Sequence, residues 1–74
     1  MTTVLDLRDL KCPLPALRTR KALRGLPAGA VITVECTDPL SAIDIPHLCN
    51  ETGHALLGQD AADGLYVFRI RKGG

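Results

Sequence analysis

The spacing of two prolines constrains this chain more than any other feature: Pro13 and Pro15 follow Cys12 with only Leu14 between them. Proline has no backbone N–H and clashes with the preceding turn, so two prolines this close fit a helix only in its first turn. The pattern predicts a helix that starts directly after Cys12 and runs to about Arg24, before Gly25. Cys12 therefore belongs at a helix N-terminus. Steps of about 100° per residue put Ala16, Thr19, Leu23 and Leu26 on one stripe, the expected buried face. Arg18, Lys21 and Arg24 lie opposite, and Leu14 and Leu17 fall on that charged side, exposed near the thiol.

The rest of the chain reads as short elements around this helix. Val4 to Arg8 alternates, with Leu5 and Leu7 facing one way and Asp6 and Arg8 the other, as in a half-buried strand. Pro27 to Gly29 is a turn, and Ala30 to Cys36 forms a second strand with Ile32, Val34 and Cys36 inward. Asp38 before Pro39 marks a short turn, after which Asp44 is expected to cap a second helix with Pro46 in its first turn and Gly53 at its end. His54 to about Gln59 and Leu65 to Arg71 read as a closing hairpin across a loop holding Asp60 and Asp63-Gly64, with Tyr66, Phe68 and Ile70 inward. The order β-α-β-α-β-β, with helices enough to cover one sheet face, predicts a two-layer α/β sandwich (an α+β fold) as a single domain over residues 1–74.

Size and composition narrow what such a domain does. A chain of 74 residues buries only about 60% of the surface its unfolded form exposes, so the core is thin and leaves no room for a deep pocket. With one Phe, one Tyr and no Trp, that core rests on aliphatic side chains. An exposed reactive group suits it better than an engulfed substrate. No apolar run approaches the roughly 20 residues of a membrane span, and no signal peptide is recognisable, so a soluble cytoplasmic protein is expected. Three cysteines, Cys12, Cys36 and Cys49, make no paired framework and fit a reducing compartment.

Charge is unevenly placed. Residues 1–26 carry six Lys/Arg against two Asp, and residues 27–74 carry three against six Asp/Glu. The basic first helix reads as a docking or thiol-tuning surface, or as an ordinary solvated face. A thiol reacts as its thiolate, which a helix N-terminus and nearby cations stabilise. Lys11 adjoins Cys12, and Arg8, Arg18, Arg20 and Lys21 are near it along the chain, so the thiol is expected to ionise near neutral pH. The prolines weaken the dipole contribution by removing two donors, while holding the sulfur outward.

Cys12-Pro13-Leu14-Pro15, Asp38-Pro39, Asp44-Ile45-Pro46, Gly53-His54 and the closing Ile70-Arg71-Lys72-Gly73-Gly74 together resemble the TusA/SirA family of sulfur-carrier proteins. The likeness covers nearly the whole chain, and its Cys-Pro-x-Pro box is the specific part. It implies a mixed four-stranded sheet of order 1-2-4-3, the last strand antiparallel to the others, with two helices on one face. It also implies a sulfurtransferase that acts as a persulfide carrier. Cys12 would accept sulfane sulfur from a cysteine desulfurase or rhodanese-like donor and pass it to an acceptor sulfur-relay protein, in tRNA thiolation, molybdenum-cofactor supply or sulfur oxidation. On this reading Pro13 and Pro15 shape the box, and Lys11, Arg20, Lys21 and Asp44 support it. Leu14, Leu17, Arg18, Lys21 and Arg24 would dock partners. The family usually has Gly three residues before the cysteine, where this chain has Asp9; a carboxylate close to the thiol raises its pKa, and a Cβ resists backbone shapes that Gly permits.

Other readings carry different expectations. Cys36 and Cys49 read as small buried hydrophobes. His47, Cys49 and His54 do not make a convergent four-ligand zinc set, and no cofactor or metal is expected. Gly73-Gly74 resembles the tail on which ubiquitin-like carriers hold a thiocarboxylate, but the element order differs from theirs and two glycines at a chain end are read as merely flexible. A regulatory or RNA-binding module is the alternative from another class, although only Tyr66 and Phe68 are available to stack bases and both read as buried. Direct nucleic-acid contact is not expected, and the default is a monomer with transient partners.

Overall fold

A computed structural model of the protein describes residues 2–73. It contains β1 (Thr2–Leu7), α1 (Leu14–Arg24), β2 (Val31–Cys36), α2 (Ser41–Thr52), β3 (Ala55–Ala62) and β4 (Leu65–Arg71), in the order expected from the sequence. The strands form one mixed sheet, β1-β2-β4-β3. β1 and β2 are parallel, and β4 runs antiparallel to both its neighbours, β2 and β3. β4 therefore opposes the other three, as the family resemblance implied. The two crossovers, β1-α1-β2 and β2-α2-β3, step the same way across the sheet. Because such connections are right-handed, both helices come to lie on one face.

Strand register sets where the ends of these elements fall. Pairing runs from Thr2, Val31 and Arg71 at one rim to Leu7, Cys36 and Tyr66 at the other. Both helices depart from the second rim, and residues 2 and 72 sit at the first. Six residues of strand separate the rims by about 20 Å.

The core is the seam between sheet and helices. Ile32, Val34, Cys36, Phe68 and Ile70 from the sheet meet Leu23 of α1 and Ile45 of α2, all 1% exposed or less. Leu7 and Cys49 join them, with Leu5, Ala16, Leu26 and Tyr66 packed alongside. Buried Thr19 is satisfied because its hydroxyl donates to the Pro15 carbonyl at 2.7 Å. The inward residues anticipated for β2 and β4 are the ones observed. Pro15, expected only to shape the turn, is itself buried in α1.

Three local expectations are corrected. β1 ends at Leu7 rather than Arg8, whose guanidinium turns back to grip Asp6. The hairpin needs only the two-residue turn Asp63-Gly64, with φ of 52° and 79°, a left-handed pair that matches strand twist; Asp60 belongs to β3. α2 starts at Ser41, so Pro46 lies inside it and Asp44 is not its cap. Asp38 organises the entry to α2 instead: its carboxylate accepts the Leu40 N–H at 3.1 Å, and its carbonyl accepts the Ser41 N–H and hydroxyl. Gly53 ends α2 in the left-handed conformation, φ 77°, as expected.

The chain beyond β4 is anchored. The Lys72 N–H donates to Ala30 O at 2.7 Å, and Gly29 N–H donates to Lys72 O at 2.9 Å. The Lys72 ammonium caps the Leu23 carbonyl at the end of α1. Gly73 N–H donates to His54 Nδ1 at 3.0 Å. Gly73 is thus held, contrary to the flexible tail expected; Gly74 lies outside the described residues.

Candidate functional site

Residues 8–13 link β1 to α1 across the rim where both helices begin. Asp9 takes φ 69°, the left-handed region that Gly favours and Asp tolerates better than most residues, and its N–H donates to Thr37 Oγ1 at 2.8 Å. The chain thus keeps a glycine-like bend without glycine. Leu14 N–H is taken by Lys11 O at 2.8 Å, and the Cys12–Pro13 peptide is cis. Pro13 is the N-cap of α1, so Cys12 stands one residue ahead of the helix.

Two carboxylates from the second crossover fix Cys12. Its N–H donates to Asp38 Oδ2 at 2.5 Å, and its thiol donates to Asp44 Oδ2 at 2.9 Å. Asp38 thereby holds the thiol loop and the entrance to α2 with one side chain. Cys12 nevertheless remains exposed. Sequence spacing gave no pairing between residues this far apart, although Asp44 was among the residues expected to support the site.

The electrostatic expectation for the thiol is reversed. The Cys12 pKa is raised above the ordinary thiol value, first by the hydrogen bond to Asp44, then by partial loss of water and by the charges of Asp44 and Asp38. A carboxylate that accepts the S–H proton stabilises the thiol over the thiolate. The helix offers little in return, since Leu14 N–H is spent and Pro15 has no donor. Arg8 does not approach as a counter-charge: it forms a two-pronged pair with Asp6, at 2.9 and 3.0 Å, which holds the Asp6 carboxyl down at about 2. The hydrogen bonds from Cys12 and Leu40 lower the pKa of Asp38, with Lys11 adding to them.

A shallow groove of about 280 Å³ runs from Cys12 between the two helices. Pro13, Ala16, Leu17 and Arg20 line it from α1, and Asp44, His47, Leu48 and Glu51 from α2. Of the residues proposed to support or dock, the groove gathers Pro13, Leu17, Arg20 and Asp44. Leu14, Arg18, Lys21 and Arg24 are exposed outside it. Leu14 and Leu17, at 41% and 53% exposure, are open to solvent as the helix stripe predicted. His47 Nε2 and Glu51 Oε1, paired at 3.1 Å, were not anticipated as groove residues. The signal was the spacing 44, 47, 48, 51, which is one helical face. A second concavity, about 300 Å³, lies on the other side of the thiol loop between Asp9–Lys11 and Thr37–Pro39.

The remaining candidates fall elsewhere. Cys36 and Cys49 are buried, and burial pushes both thiols up. His47 faces the groove, Cys49 the core, and His54 the C-terminal segment. Among the described residues no three His, Cys, Asp or Glu side chains converge as a metal site would require. Phe68 is fully buried and Tyr66 packs against the core, so neither presents a free ring to a base. Among the described residues no helix is long and apolar enough to cross a membrane.

Comparison with known proteins covers almost all of the chain. A family model described as sulfurtransferase TusA matches residues 3–72. The sulfur carrier protein TusA of Pseudomonas entomophila is 46% identical over 92% of this chain and 85% of its own length. That of Pseudomonas putida strain W619 is 42% identical over 93% and 86%. The crystal structure of a SirA-like protein from Desulfitobacterium hafniense superposes with a TM-score of 0.84 at 28% identity, covering all of both chains.

Proposed function

This chain belongs to the TusA family of sulfur carriers, and from that premise we propose that Cys12 accepts sulfane sulfur as a persulfide and relays it to a second protein. The observation that carries the reading is a single exposed thiol at the rim of the sheet, held by hydrogen bonds from its backbone and its sulfur to two carboxylates. Transfer is a displacement at sulfur, like disulfide exchange. The Cys12 sulfur bonds to the outer sulfur of a donor persulfide, the donor's S–S bond breaks, and the donor cysteine leaves as a thiolate. Delivery repeats this with Cys12 as the leaving group. No external oxidant or reductant enters, and the carrier ends as it began.

The shallowness of the two concavities beside the thiol supports a carrier over an enzyme that encloses its substrate. Recognition then falls to surfaces that meet another protein. Leu14 and Leu17, with Arg18, Lys21 and Arg24 on the same side of α1, are the docking set for a cysteine desulfurase or rhodanese-like donor and for an acceptor relay protein. Lys11, Arg20 and Lys21 supply positive charge around the loop, and Pro13 and Pro15 fix the direction in which α1 leaves it. The working state is a cytoplasmic monomer that serves one route among tRNA thiolation, molybdenum-cofactor supply and sulfur oxidation.

Incubation with a cysteine desulfurase and cysteine should add the mass of one sulfur atom to the peptide that contains Cys12, and Cys12→Ala should abolish both uptake and transfer. Sulfur uptake that persists in Cys12→Ala would sink the reading.

A further inference from the structure

A thiol that must attack sulfur is here hydrogen-bonded to a group that opposes its ionisation. The Cys12 Sγ to Asp44 Oδ2 distance is 2.9 Å, within the reach over which a side chain takes a proton from a reacting group. Asp44 is set by α2, one turn in from its start, and Cys12 by the loop that Asp38 holds against the same crossover. The pair is therefore fixed from both sides. Titratable neighbours are Asp38 and Lys11 beside the loop, Arg20 on α1, and His47 and Glu51 on α2. His47 is taken up by Glu51, and Asp38 by two backbone donors. Among the described residues, Asp44 is the one side chain bonded to the sulfur.

We propose that Asp44 is the proton partner of Cys12 in both halves of sulfur transfer; the assignment rests on the persulfide reading above. On loading, the S–H proton passes to the Asp44 carboxylate as the Cys12 sulfur bonds to the donor's outer sulfur and the donor thiolate departs. On delivery, an acceptor thiolate bonds to the outer sulfur, the Cys12 S–S bond breaks, and the Asp44 carboxyl returns its proton to the departing Cys12 sulfur. Each half conserves charge: one carboxylate is exchanged for one thiolate on loading, and the reverse on delivery. A sulfur with a high proton affinity is a poor leaving group as a bare thiolate, so a proton delivered at the moment of departure removes the penalty that the same carboxylate imposes at rest. Between transfers the thiol stays protonated and slow to react with oxidants.

The test sets a probe that needs only thiolate against one that needs the full exchange. In Asp44→Asn, iodoacetamide at pH 7 should alkylate Cys12 several-fold faster than in the wild type, because the thiolate is no longer opposed. Sulfur uptake from glutathione persulfide should instead fall by about a hundredfold or more, the low end of what a positioned acid-base group contributes. Asp44→Glu keeps a carboxylate and should hold both rates within about threefold of wild type. Opposite signs in Asp44→Asn with rescue by Glu support the role. Rates that rise together, fall together or stay unchanged overturn it, as does a Glu variant that behaves like Asn. Absence of sulfur uptake by the wild type would end the persulfide reading and this role with it, while the alkylation arm would still report whether Asp44 governs the thiol.

Discussion

Replacing Gly73 by Ala tests how the chain beyond β4 is held. A Cβ at this position would overlap the Gly53 carbonyl oxygen outright and lie 2.9 Å from the carbonyl carbon. Both obstacles are backbone atoms, so no rotamer change relieves them. If the packing were kept, the overlap would cost about 1–3 kcal/mol or more. The segment has a cheaper response. Lys72 remains pinned to Ala30 and Gly29, and Gly73 swings out, losing its hydrogen bond to His54 Nδ1, a loss of about 1 kcal/mol. For a domain of this size that lowers Tm by about 4–8 °C. The displacement has a second signature. Burial, and next the Lys72 charge, hold the His54 pKa below its ordinary value, and the Gly73 N–H supports the neutral ring. The burial and the Gly73 hydrogen bond both weaken when Gly73 leaves, while Lys72 stays in place, so the His54 titration followed by NMR should move upward. Gly25→Ala is the control, because its Cβ meets nothing nearer than 3.8 Å. A Gly73→Ala protein with unchanged Tm and an unmoved His54 titration would refute the reasoning.

Three further outcomes follow from the same structure. Because the folded-state pKa of His54 lies below its unfolded value of about 6.5, the unfolded chain binds the proton first as pH falls. Stability should therefore be complete above about pH 6.5 and decline below it, with a shallower decline below that pH in His54→Gln, measured by urea unfolding. Leu23→Ala removes a fully buried side chain from a thin core and should cost about 3–5 kcal/mol, a large part of the roughly 4–11 kcal/mol available to a domain this size; a loss under about 1 kcal/mol would contradict the packing described. Iodoacetamide applied to the native protein should label Cys12 alone, with Cys36 and Cys49 labelled only after unfolding, as peptide mass mapping would show.

What could be read from the sequence was what local rules decide. Two prolines fixed the start of α1, alternation revealed the inward face of β2, and Asp63-Gly64 marked the hairpin, because each depends on neighbours a few residues apart. Family likeness supplied the strand order, which periodicity alone does not. The candidate site was legible in Cys12, which is exposed, and in the naming of Asp44, which bonds it, but not in its electrostatics. The bonds that set the thiol join residues 32 and 26 apart in sequence, and the one that holds Gly73 spans 19. Counting cations along the chain therefore misjudged the thiol: Arg8 is committed to Asp6, while two acids from another crossover face the sulfur. Asp44 was misassigned as a cap for the same reason, since Asp38 already did that work and left the later carboxylate free.

The register of the sheet puts residues 2 and 72 at the rim away from Cys12. A tether attached next to residue 2 or residue 72 would leave from one rim of the sheet, with the Cys12 loop at the other. The domain can therefore be immobilised, or joined to another polypeptide, at the rim of residues 2 and 72 without shading the Cys12 thiol.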